Sequence, residues 1–75
     1  MTLHLTPAGG DARIRRLSGD PAVRERLAEL GLTPGQRVRL LRRAPLGDPL
    51  ELLVRGYRLA VRREEADAVE VEQGA

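Results

Sequence analysis

APLGDPLELLVRGYRLAVRREEA, residues 44–66, is the stretch whose reading decides the fold. Two runs alternate apolar and polar residues with only Gly56 and Tyr57 between them, the pattern of a β-hairpin. A glycine at the first central position suits a type II′ turn, which predicts a register in which Arg55 faces Arg58, Val54 faces Leu59, Leu53 faces Ala60, Leu52 faces Val61 and Glu51 faces Arg62. Leu52, Val54, Leu59 and Val61 then share an inward face, and Glu51 attracts Arg62 on the other. Arg55 and Arg58 would repel each other at the tip, beside the only aromatic residue of the chain, Tyr57. Local conflicts of this kind are often functional. Upstream, Pro45 fixes its own φ, Gly47 can take φ > 0 and Pro49 pushes Asp48 to an extended conformation, so the chain reverses over residues 44–49.

The pattern continues on both sides. RVRLLRR, residues 37–43, is a strand with Val38 and Leu40 inward; Leu40-Leu41 breaks its alternation, and either a bulge or a strand end buried on both faces would explain the break. Thr33-Pro34-Gly35-Gln36 has proline and glycine where a type II turn needs them. Before it, Asp20 is an N-cap for a helix with Pro21 at its first position, Val23, Leu27 and Leu30 form one apolar stripe, and Gly31 closes the helix as an αL cap. DARIRRL, residues 11–17, is a first strand. After the hairpin, RREEA at 62–66 suits one 3₁₀ turn, and Val69 and Val71 alternate with Glu70 and Glu72 in a closing strand. The expected fold is mainly β: a single domain forming a small, strongly bent five-stranded barrel, with one short α-helix inserted after the first strand. Its core should run over about residues 10–72, between flexible N- and C-terminal ends.

Seventy-five residues allow one domain with a small core. With no Phe, no Trp and one Tyr, that core must be aliphatic, and no aromatic platform exists for stacking bases. Zero cysteines remove disulfides, thiolate metal sites and Cys nucleophiles, which fits a reducing compartment. No signal-peptide h-region and no long apolar run is present, so a cytoplasmic location without membrane insertion is expected. Thirteen arginines, and no lysine, are offset by eleven acidic residues to leave +2.

LAELGLTPG at 27–35, APLGDP at 44–49 and RGYRLAVRREEA at 55–66, in this order and spacing, resemble the FeoA family of ferrous iron transport proteins. The resemblance covers about residues 10–72. It implies an SH3-like barrel, as the pattern suggests independently, and a small accessory or regulatory protein that acts by protein–protein contact with FeoB, the membrane transporter for ferrous iron. Similar barrels end iron-dependent repressors of the diphtheria toxin repressor type.

No catalytic constellation can be assembled, so no enzyme is expected. His4, the only histidine, lies in a segment expected to be mobile. Ser18 and Thr33 sit at element boundaries, where their hydroxyls have local hydrogen-bonding roles. The acidic residues Glu64, Glu65, Asp67, Glu70 and Glu72 lack Ca²⁺-loop spacing and suit a solvated rim. No GxxxxGK loop is present for a nucleotide. No cofactor and no metal site is expected. The alternative is a barrel that binds nucleic acid through Arg37, Arg39, Arg42, Arg43, Arg55 and Arg58, or one that serves as a regulator-type interaction module; the near-neutral balance and missing aromatics argue against nucleic acid. The residues expected at a partner interface are Leu46 in the stiff loop, Leu53 on the outer sheet face, and Arg55, Tyr57 and Arg58 at the hairpin tip. The partner expected is the cytoplasmic domain of FeoB, with weak self-association left open.

Overall fold

The computed structural model describes residues 1–74, in which five antiparallel strands form one curled sheet. In chain order they are β1 (Asp11–Leu17), the helix α1 (Pro21–Glu29), β2 (Arg37–Arg43), β3 (Leu50–Val54), β4 (Tyr57–Val61), a short helix α2 (Arg63–Ala66) and β5 (Val69–Gln73). The sheet order is β4-β3-β2-β1-β5. Alternate residues point inward, so Ile14, Val38, Leu40, Leu52, Val54 and Val71 meet in one aliphatic core that Leu27 of α1 covers.

Local chemistry sets the helix. Asp20 Oδ1 accepts from the Val23 N–H at 3.0 Å, and Pro21 occupies the first turn where no N–H is needed. Gly31, at φ 91°, reverses the chain, so that the Leu32 N–H donates back to the Leu27 carbonyl at 3.0 Å. The type II turn also forms, with Gly35 at φ 89° and the Gln36 N–H on the Thr33 carbonyl at 3.0 Å. The break at Leu40-Leu41 is a bulge: Leu40 pairs with Leu52 and Arg42 with Glu51, leaving Leu41 as the extra residue.

The hairpin register differs from the predicted one by two residues. Tyr57 faces Val54, Arg58 faces Leu53, Leu59 faces Leu52, Ala60 faces Glu51 and Val61 faces Leu50. The inward face is preserved, because a shift of two keeps the side-chain parity. The turn is Arg55-Gly56, with φ of 52° and 82°, the signs of a type I′ turn. The reason lies in the core: this register seals the buried Leu50 against the buried Val61, whereas the predicted one would set Leu50 opposite Arg63. Arg55 and Arg58 are therefore not opposed, and Glu51 pairs with Arg42 at 3.5 Å instead of facing Arg62.

Two further expectations are corrected. Residues 63–66 form an α-helical turn rather than a 3₁₀ turn: the Ala66 and Asp67 N–H groups donate to the Arg62 and Arg63 carbonyls at 2.9 and 3.0 Å, and the Glu65 carboxylate accepts from the Arg62 N–H at 2.8 Å. The core also does not begin near residue 10. Leu3–Leu5 form a 3₁₀ turn in which Leu3 is buried, Thr2 bridges to Glu70, and the Val71 N–H donates to the Met1 carbonyl at 2.8 Å. Arg43 fixes this segment by donating to the backbone carbonyls of His4 and, at 2.7 Å, Thr6. The N-terminus thereby covers the outer edge of β5. At the other end, Gln73 belongs to β5 and the Gly74 N–H donates to the Asp11 carbonyl at 3.0 Å; Ala75 lies outside the described residues.

Candidate protein-docking site

The outer face of the sheet carries two rows of side chains across the strands. In the first, Asp11 of β1 is level with Arg39 of β2, which is level with Leu53 of β3 and Arg58 of β4. In the second, Arg13 of β1 lies directly opposite Arg37 of β2, and continuing the β2–β3 register by one pleat brings Arg55 level with Arg37. Between the rows lies an open cleft of about 260 Å³ lined by Asp11, Arg37, Val38, Arg39, Leu53, Arg55 and Gly56. Its floor is the half-buried Leu53, and its walls are mostly arginine.

One carboxylate already occupies part of it. Arg39 Nε donates to Asp11 Oδ1 at 2.8 Å and Arg39 Nη2 to Asp11 Oδ2 at 3.2 Å, a bidentate pair. The hydrogen bond from Arg39, with the charges of Arg39 and Arg37, holds the Asp11 carboxyl below its ordinary pKa, and the same pairing raises that of Arg39. Arg37, Arg13 and Arg58 have no ion-pair partner among the described residues, and Glu72 beside Arg13 is engaged by Arg15 at 3.5 Å. The like-charge conflict predicted for the hairpin tip is thus found elsewhere: it lies between Arg13 and Arg37, with Arg55 next in the row.

Arg55 is the only described non-glycine residue with positive φ. Holding an arginine there costs about 1–2 kcal/mol relative to glycine. Its Nε donates to Gln36 Oε1 at 2.9 Å, which steers the guanidinium along the cleft wall. Of the residues expected at an interface, Leu53, Arg55 and Arg58 are brought together here. Tyr57 is turned to the opposite face of the hairpin, where its hydroxyl donates to the Leu30 carbonyl at 2.8 Å and satisfies one of the unpaired groups at the end of α1. It remains 46% exposed and ties the tip to the helix. Leu46 is 95% exposed in the β2–β3 loop, at the opposite end of β3 from the tip, so the two tips do not form one surface. Asp11 and Arg37 complete the cleft; their alternation with Ala12 and Val38 marks them as outward-facing, but only the β1–β2 register brings them together.

The sequence model of the FeoA domain matches residues 1–73. The chain belongs to the FeoA family. A FeoA solution structure from Chlorobium tepidum is 43% identical, covers 100% of this chain and 71% of its own, and superposes with a TM-score of 0.91. The Stenotrophomonas maltophilia FeoA, crystallised with zinc and described as a prokaryotic SH3 domain protein, is 34% identical over 96% of this chain and 89% of its own, with a TM-score of 0.82. A curated relative, a fusion of Fe(2+) transport protein A and the Fe(2+) transporter FeoB from Porphyromonas gingivalis, is 35% identical over 72 residues. That alignment takes in 96% of this FeoA chain but only 8% of the fusion protein. Among the described residues no three His, Asp or Glu side chains gather to hold a metal ion, and no helix is long and apolar enough to cross a membrane.

Proposed function

We propose that this FeoA-family chain is a cytoplasmic accessory protein of ferrous iron uptake, acting by docking on the cytoplasmic part of a FeoB transporter. The observation that carries this reading is the fusion relative: a domain 35% identical to this chain is built into the same polypeptide as a FeoB transporter. Covalent linkage holds two modules at high effective concentration, which is useful when they work in contact. The fold supports an interaction role. Its outer sheet face presents an apolar floor ringed by arginines, residue types suited to recognition of carboxylates, while its core is filled by aliphatic side chains. Leu53, Arg55 and Arg58 form the centre of the proposed contact, with Tyr57 and Leu46 outside it.

The test is direct binding to the intact FeoB of the same organism in detergent or nanodiscs, by interferometry against immobilised transporter. Saturable binding of the wild-type chain supports the reading. Absence of binding to the intact transporter would overturn it.

A further inference from the structure

We propose that the cleft between β1, β2 and the β3–β4 turn is a carboxylate-binding groove that seats an extended acidic segment of the partner protein, with an apolar side chain of that segment on Leu53. The identity of the partner rests on the FeoB reading above; the chemistry of the groove does not.

Three observations converge on it. First, Arg13, Arg37 and Arg55 stand in one row with no ion-pair partner among the described residues; Glu72 stands across from Arg13 at one end, which leaves Arg37 and Arg55, the two that line the cleft, as the like charges an incoming anion would relieve. Second, Arg55 is held in the left-handed region at φ 52°, and strained residues of this kind collect at ligand-binding surfaces. Third, the groove already binds one carboxylate: Asp11 grips Arg39 through both oxygens and shows the geometry that an incoming Asp or Glu would adopt on Arg37.

The same geometry separates an acidic peptide from nucleic acid. The row of three arginines spans two strand spacings, about 10 Å; the Asp11 carboxylate lines the groove, and Glu72 of β5 stands level with Arg13 at the far end of the row. A duplex with a charge roughly every 1.7 Å of its axis would run its phosphates over those carboxylates, whereas one or two carboxylates on a peptide fit between them. Leu53 on the floor, with no aromatic ring in the groove, also favours an aliphatic neighbour over a base.

Asp11 acts as a built-in competitor, which predicts opposite effects from two exposed substitutions. Amide chemical shifts of the full chain are followed on adding a capped Glu-Ser-Leu-Ser-Glu peptide, whose glutamates and leucine share one face when extended, its Gln-Ser-Leu-Ser-Gln counterpart, or a short DNA duplex. The Glu peptide should perturb Arg37, Leu53 and Arg55 saturably. Arg37→Glu should weaken it by about tenfold or more, and Asp11→Asn, which frees Arg39, should tighten it several-fold. Equal binding of the Gln peptide, tighter binding of DNA at the same residues, or unchanged affinity in both variants would each overturn the proposal. Binding of intact FeoB is measured with the same variants. If the Glu peptide binds and wild-type chain does not bind FeoB, the groove stands and the FeoB reading falls; if FeoB binds all variants alike, the groove proposal falls and the FeoB reading stands.

Discussion

Replacing Gly31 with alanine tests how the hairpin tip is tied to the helix. Gly31 sits at φ 91°, and a Cβ added there would lie 2.9 Å from the Tyr57 hydroxyl, with the Val54 side chain next at 4.0 Å. The left-handed conformation alone costs an alanine about 1–2 kcal/mol. The tyrosine must also swing aside, giving up its 2.8 Å bond to the Leu30 carbonyl, a loss of about 0.5–1.5 kcal/mol. The sum is about 1.5–3.5 kcal/mol, or a fall in Tm of roughly 6–28 °C for a domain of this size. In a Tyr57→Phe background the obstructing oxygen is gone and its hydrogen bond already lost, so Gly31→Ala should cost only the backbone term. Urea unfolding of the four proteins therefore predicts a coupling of about 0.5–1.5 kcal/mol between the two sites. Additive effects, or a Gly31→Ala cost below about 1 kcal/mol, would refute the contact and the tight cap together.

Arg55→Asn places a residue tolerant of the left-handed region in the type I′ turn, and should raise Tm by a few degrees, roughly 2–6 °C by scanning calorimetry, while weakening capture of the Glu peptide. Leu3→Ala removes a fully buried side chain from the N-terminal turn and should destabilise by about 2–4 kcal/mol in urea unfolding; a cost under about 1 kcal/mol would show that residues before β1 are not part of the core. For Asp11, whose folded pKa is depressed by Arg39, the pairing favours the folded state above the unfolded value and is lost as pH falls through the folded one. NMR titration of its carboxyl carbon should give a midpoint below the ordinary value of about 3.9, moving up in Arg39→Gln.

The helix was legible because every signal for it is local: Asp20 caps, Pro21 starts and Gly31 stops it, within hydrogen-bond reach of the groups they satisfy. Strand positions and their inward faces were legible from alternation for the same reason. The hairpin register was not, since Gly56 suits the second position of one turn as well as the first of another, and the choice is made by Leu50 sealing against Val61 and by Tyr57 reaching Leu30. The N-terminal turn escaped because LHL has no periodicity, and its anchor is an arginine 39 residues away, Arg43 on the His4 carbonyl. Of the site, Leu53 could be singled out as an outward leucine without a core role, and Arg55 and Arg58 as the arginines at the hairpin tip, although they are not opposed as the predicted register had them. That Arg13 opposes Arg37, and that Asp11 occupies part of the groove, depends on pairing between β1 and β2, which no short-range pattern encodes.

The rate of ferrous iron entry into cells that produce FeoB but lack their own copy of this chain tests the central claim most directly. Supplying the wild-type chain should change the initial rate, and the Arg37→Glu, Arg55→Glu double variant, folded and produced at the same level, should leave it at the value of cells without the chain. A wild-type chain without effect, or a double variant that acts as the wild type does, would contradict the account.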